Sequence, residues 1–175
     1  MDIHTRVKQA GLIILFFFYC NALSAQTMPD FDLIKMEQAG DYKKAEPFVL
    51  QTANFLLMSP YKNSAKDAGR GKCIQFLEKW LVGTNEYAFP KVEAITKITR
   101  QDNALLEMYL VSMIKYAIEN KKTANDAKVI KLNAVSKLIE YCEQPGNNLK
   151  MNKPLKKLAE AKAKGELEQA LAEYQ

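Results

Sequence analysis

The chain has 175 residues, of which 48% are hydrophobic and 26% are charged, and its 25 basic and 20 acidic residues give a net charge of +5. This length allows one domain with a substantial core. The charge is too balanced to indicate a nucleic-acid partner, because nucleic-acid-binding domains concentrate basic residues.

The N-terminal segment has the parts of a cleavable signal peptide: two basic residues, an apolar stretch at 11–19, and small residues before a predicted cleavage between Ala25 and Gln26. The apolar stretch is less than half of the roughly 20 residues that a membrane anchor needs. We therefore predict that residues 1–25 are removed on export. Residues 26–175 would then form one helical domain, with no membrane span, in the periplasm or outside the cell.

Apolar residues recur at helical spacing in the rest of the chain, and no stretch alternates as a half-buried strand does. A first short helix is predicted from about 29 to 39, with Gly40 ending it. Asp41 can cap a second helix that reaches Met58, and Pro47 either kinks this helix or starts a new one.

The next predicted segments alternate between loops and core-facing helices. A polar loop at 61–71 precedes a helix that begins near Cys73 and ends at Gly83. A short helix follows at 92–98, and the chain breaks and restarts at 100–103. Residues 104–118 are almost all apolar, which predicts a central helix buried on most of its circumference.

The C-terminal part has clear start and stop signals. Thr123 has capping-box spacing with Asp126 and predicts an amphipathic helix to Glu143. After a turn, Asn152 caps another helix that Gly165 ends, and a last short helix follows. The expected fold is an all-α, compact single-domain bundle of about six to eight short helices.

The inventory of reactive groups excludes several chemistries. The single histidine, His4, lies in the predicted leader, so the exported part has no histidine base and no imidazole metal ligand. Cys73 and Cys142 remain for an oxidising compartment, where they form either one disulfide or two buried thiols. We predict no catalytic, cofactor-binding or metal-binding residue.

Carboxylates alone can hydrolyse glycosidic bonds, and this leaves an enzymatic alternative open. A hydrolase of cell-wall or dietary glycan would draw on Glu78, Glu86, Glu93, Glu107 and Glu140, but the sequence singles out no pair among them.

Two features could instead be interaction surfaces. Trp80, Tyr87 and Phe89 form either a recognition edge or part of the core. A cluster of lysines near the C-terminus is either a solvated face or a surface for an anionic partner. These lysines are Lys150, Lys153, Lys156, Lys157, Lys162 and Lys164, with Glu160 among them.

Four stretches, 55–60, 76–84, 131–135 and 147–158, together with the Ser-Ala-Gln end of the leader, are similar to a family of exported, uncharacterised helical proteins from Bacteroidetes bacteria. The resemblance implies compartment and fold, and it carries over no site. We expect a non-enzymatic binding module whose partner is an unknown protein or envelope component.

Overall fold

The structure, a computed structural model, describes residues 28–174 and contains seven α-helices and no β-strand within that range. The helices are α1 (Ala39–Met58), α2 (Ala68–Gly83), α3 (Val92–Thr99), α4 (Asn103–Glu119), α5 (Ala127–Glu143), α6 (Lys153–Ala163) and α7 (Leu167–Leu171). Short 3₁₀ helices occupy Phe31–Leu33, Pro145–Asn147 and Ala172–Tyr174. The expected all-α bundle of short helices is confirmed, whereas the predicted leader and its cleavage site lie outside the described residues.

Helix α4 is the centre of the bundle, as its apolar sequence predicts. One side of it, which includes Met108 and Met113, packs into a cluster with α3, α5, α6 and α7. Its other side, which includes Val111 and Ile114, packs into a second cluster with α1 and α2. The two clusters, called here the α5–α7 cluster and the α1–α2 cluster, are therefore joined along this one helix.

The prediction for the first two helices is wrong at Gly40, and of the two alternatives at Pro47 the start of a new helix is excluded. Gly40 does not end a helix but lies in the first turn of α1, which begins after Gln38. The Asp41 carboxylate accepts the backbone N–H of Gln38 at 3.2 Å, and this capping box fixes the start. Pro47 lies inside the uninterrupted helix and has no N–H to donate to the carbonyl of Lys43, four residues earlier. Both residues are exposed, so water can bond to this carbonyl instead.

Helix α2 begins earlier than predicted and includes part of the expected loop. The Asp67 side chain accepts the backbone N–H of Arg70 at 2.9 Å and caps a helix that begins at Ala68, five residues before Cys73. Gly71 is required in this first stretch, because a Cβ there would lie 2.8 Å from the Ser64 carbonyl oxygen. Gly69 and Gly71, which fall in the polar loop predicted at 61–71, therefore lie in the first turns of α2.

Helix ends in the C-terminal half follow the predicted signals with one change. Asp126, not Thr123, caps α5, since its carboxylate accepts the N–H groups of the first turn. Asn152 caps α6 as expected, and Gly165 ends it with a φ of +77°. Asn152 also donates to the carbonyls of the last two residues of α3, at 2.9 and 2.8 Å, so one side chain joins the ends of two helices.

Candidate functional site

The predicted basic cluster forms an exposed face on and beside α6. Lys153, Lys156, Lys157 and Lys164 share one side of the helix, at spacings of three, four and eleven residues from the first. Lys150 precedes the helix and is also exposed. We call these five residues the lysine face. On the opposite side of α6, Pro154, Leu155 and Leu158 are buried and hold the helix to the bundle.

None of the five lysines of this face forms an ion pair within residues 28–174. The first turn of α6 contains basic residues and no acidic one, so its ammonium groups lie at the positive end of the helix dipole. Glu160 is exposed on the same side of the helix and offsets part of this charge. An anion bound near the start of α6 would be attracted by both the side chains and the dipole.

Lys162 belongs to the predicted cluster by sequence but not by position. Its ammonium donates to the Ser136 carbonyl at 3.2 Å and to the Glu140 carboxylate at 2.9 Å, both on α5. The side chain therefore fastens α6 to α5 and is not available to a partner. Periodicity already separates it from the others, because it lies about half a turn from the lysine face.

A second feature is a cleft of about 860 Å³ between the segment 28–36, the end of α1 and the first half of α2, called here the N-terminal cleft. Its apolar lining includes Met28, Phe31, Met36, Phe55 and Phe76, and its charged lining includes Asp30, Asp32, Lys62, Asp67, Arg70, Lys72 and Lys79. Phe31 stacks on Phe76 with ring centroids 4.4 Å apart, which joins the N-terminal segment to α2. The volume is within the range of about 300–1,000 Å³ that is typical of small-ligand sites.

Arg70, in the wall of this cleft, is only 5% exposed, yet no carboxylate of the described residues lies within ion-pair distance of it. Its guanidinium lies 4.7 Å from the centroid of the Tyr61 ring and donates to the Met108 sulfur at 2.8 Å. Its Nε is buried without a partner in the described part of the chain, and leaving such a donor unpaired costs about 1–3 kcal/mol.

Sequence reasoning missed Arg70 because the residue lies between two glycines in a predicted loop. A signal was nevertheless available. Arg70, Cys73 and Leu77 follow the i, i+3, i+7 spacing of one helix face, and that face of α2 is buried. Extending the helix by one turn would have placed the guanidinium against the core.

The two cysteines are free thiols in this structure. Cys73 is buried in the α1–α2 cluster, whereas Cys142 is half-buried and packs against the α5–α7 cluster. Burial raises the pKa of the Cys73 thiol, and it raises that of Cys142 to about 12. Of the two alternatives that the sequence leaves open, this structure has free thiols, of which only Cys73 is fully buried.

Three of the five candidate glutamates, Glu86, Glu107 and Glu140, form contacts with neighbouring side chains. A hydrogen bond from Lys137 at 2.8 Å, with a further one from Lys162, keeps the pKa of Glu140 below its usual range despite partial burial. Glu140 therefore stays ionised and is unsuited to act as a general acid. Glu107 accepts hydrogen bonds from Ser64 and Tyr61, and Glu86 pairs with Lys43.

The aromatic group around Trp80 is part of the core. Trp80 is fully buried, and its indole N–H donates to the Tyr42 carbonyl at 2.9 Å. The rings of Tyr87 and Phe89 lie over it at centroid distances of 5.6 and 6.3 Å. The recognition-edge alternative therefore has no exposed indole to support it.

Comparison of the chain with protein-family models, with curated proteins and with solved structures finds no match. Across residues 28–174, none of the helices combines the length and apolar character that crossing a bilayer requires. The same residues contain no group of three or more histidine, cysteine or acidic side chains that could hold a metal ion. The lysine face and the N-terminal cleft are therefore two candidate binding sites.

Proposed function

We propose that this chain is an exported, non-enzymatic binding module, acting in the periplasm or outside the cell, that attaches to anionic lipid headgroups of the envelope through the lysine face. The observation that carries the proposal is the set of five exposed lysines, on and beside α6, that form no ion pair within residues 28–174. The predicted leader supplies the compartment. The contacts of Glu86, Glu107 and Glu140 with neighbouring side chains give no support to the glycan-hydrolase alternative.

The physics of this face favours attachment at the surface over insertion. The apolar side of α6 is already buried in the bundle, so it cannot enter the hydrocarbon layer. Each lysine near an anionic leaflet contributes about 1 kcal/mol, and this attraction decays within a Debye length of about 8–10 Å at physiological salt. Binding is therefore expected to be reversible, electrostatic and sensitive to ionic strength.

The test is co-sedimentation of the purified exported protein with vesicles of phosphatidylglycerol and phosphatidylcholine, or of phosphatidylcholine alone. We expect binding only to the anionic vesicles, with loss at high salt. Charge reversal of Lys156 and Lys157 to Glu should abolish it. The matched control reverses Lys66 and Lys122, which are also exposed and have no ion pair with any described residue, but which lie outside α6.

Two results would contradict the proposal. The first is equal binding to neutral and anionic vesicles, which would mean that charge is not the attraction. The second is equal loss of binding in the control variant, which would mean that net charge matters and the lysine face does not.

A further inference from the structure

A groove of about 510 Å³ lies on another face of the bundle, between α5 and the segment 165–172, and is called here the C-terminal groove. We propose that the amine of Lys131, in the wall of this groove, is a reactive nucleophile that binds a short-chain aldehyde covalently as an imine. This goes beyond attachment through the lysine face, because it assigns a modification site to a residue of a different helix.

Lys131 is a buried amine with little to hold its charge. It is only 9% exposed and forms no ion pair within residues 28–174. Its Nζ donates one hydrogen bond, to the Leu171 carbonyl at 3.3 Å, which is longer than the usual range of about 2.7–3.2 Å. An ammonium group has three N–H donors, so the described residues leave most of its hydrogen-bonding capacity unused.

This hydrogen bond also shows where the amine end of the side chain lies. Leu171, whose carbonyl accepts the bond, lines the C-terminal groove, and so does Lys131 itself. Lys128, three residues earlier on the same face of α5, is exposed and lines the groove as well. The amine therefore lies at the groove wall, where a small molecule that enters the groove can meet it.

The surroundings of Lys131 favour the neutral form of its amine. Burial, and then the positive charge of Lys128, lower the pKa of Lys131 below its usual value. The neutral amine is the nucleophile, and desolvation beside another cation is an arrangement that activates lysines for imine formation. The exposed lysines of the chain are not desolvated in this way.

Imine formation at Lys131 needs no further reactant. The lone pair of Nζ attacks the carbonyl carbon, a C–N bond forms, and the electrons of the C=O π bond move to the oxygen. The nitrogen loses its two protons and the oxygen gains two, so the products are the imine and one molecule of water. Solvent in the open groove can carry these protons.

The lining of the groove suits an uncharged carbonyl compound. Two lysines, Lys128 and Lys131, lie on its α5 side. Two glutamates, Glu166 and Glu168, lie on the other side and form no ion pair among the described residues. These charges balance, so the groove selects neither an anion nor a cation. Leu132 offers apolar contact to a short alkyl chain.

The experiment is reductive trapping with butanal. The purified exported protein is treated with limiting butanal and sodium cyanoborohydride, which reduces the imine to a stable secondary amine, and the labelled lysines are mapped by mass spectrometry. We expect Lys131 to be labelled about tenfold or more faster than the exposed Lys66 and Lys122, because each unit by which a pKa is lowered gives about tenfold more neutral amine. Labelling of Lys131 at an equal or slower rate would overturn the proposal.

The same labelling in guanidinium chloride separates the fold from the local sequence. In the unfolded chain Lys131 should react no faster than Lys66 and Lys122, because its burial and the groove are lost. A preference for Lys131 that persists after unfolding would mean that the groove is not its cause, and the proposal would fail.

Variants identify the nucleophile. Lys131→Met should lose the fast labelling, whereas Lys128→Arg keeps the neighbouring charge without an amine of its own and should retain fast labelling at Lys131. Fast labelling that moves with Lys128 instead would assign the reaction to that residue and refute the proposal. The lysine-face variant at Lys156 and Lys157 is the matched control. It should label Lys131 at the unaltered rate even when it loses vesicle binding, so the two proposals are separable.

Discussion

Replacing Gly83 with Ala is a sharp test of the packing between α1 and α2. Gly83 is the last residue of α2, and a Cβ at this position would lie 2.0 Å from the Cε1 and Cζ atoms of the Tyr42 ring. No side chain can share that space, so the ring must move. The Tyr42 hydroxyl currently donates to the Met36 carbonyl at 3.2 Å, and moving the ring breaks this bond.

The expected magnitude combines opposing effects. Overpacking costs about 1–3 kcal/mol, and the lost hydrogen bond costs about 1 kcal/mol more. Alanine gains at most about 1 kcal/mol over glycine in a helix, and less at a terminal residue. The free energy of unfolding should therefore fall by about 1–3 kcal/mol, with a fall in Tm of roughly 2–4 °C per kcal/mol.

The assay is urea unfolding followed by circular dichroism, with two comparisons. Gly40→Ala is the matched control, because Gly40 is also helical but its Cβ would meet nothing within 4 Å. Since Gly40 lies in the first turn, the variant should gain some stability, but less than the roughly 1 kcal/mol of a helix interior. In a Tyr42→Ala background, Gly83→Ala should become neutral or stabilising. A single Gly83→Ala variant as stable as the unaltered protein would refute the reasoning.

Three further changes test other features by the same assay. Asn152→Ala should cost about 2 kcal/mol, because it removes the cap of α6 and the hydrogen bonds to the α3 carbonyls. Asn152→Asp keeps the oxygen that caps α6 and loses only the bonds to α3, so it should cost about half as much. Equal losses in the two variants would contradict the role of the bonds to α3. Gln101→Gly should gain about 0.5–1 kcal/mol, since φ at Gln101 is +62°, a left-handed value that suits glycine. A loss of stability there would be the contrary result. Lys131 is only 9% exposed, and burial lowers its pKa below the usual 10.5. Between the lowered pKa of Lys131 in the folded protein and its usual pKa in the unfolded chain, the unfolded chain binds more protons. The free energy of unfolding should therefore rise with pH in that window. Lys131→Met should gain about 1 kcal/mol at pH 7 and lose this alkaline rise; a rise unchanged in the variant would exclude Lys131 as its origin.

The sequence by itself determined the class of structure and several helix ends. Helical periodicity without strand alternation predicts an all-α fold, and the apolar run at 104–118 predicts the buried central α4. Asn152 and Gly165 act within one turn of their own helix, so their roles can be inferred from neighbours in sequence. These features depend on short-range geometry, which a linear pattern contains.

Only the tertiary structure decided which groups meet across the bundle. Pro47 stays within α1 because its side of the helix is exposed, and Gly83 is required because Tyr42 of another helix occupies the space beside it. Arg70 becomes a buried cation because α2 begins five residues before Cys73 and turns that side chain toward α4. A pattern of apolar residues predicts that one face of a helix is buried, but it does not indicate which other helix packs on that face. That second helix lies tens of residues away along the chain. The lysine face depends on both the sequence and the tertiary structure. The sequence supplies the charges, and the packing of α6 against α5 engages Lys162 in hydrogen bonds, so that this lysine is not part of the face.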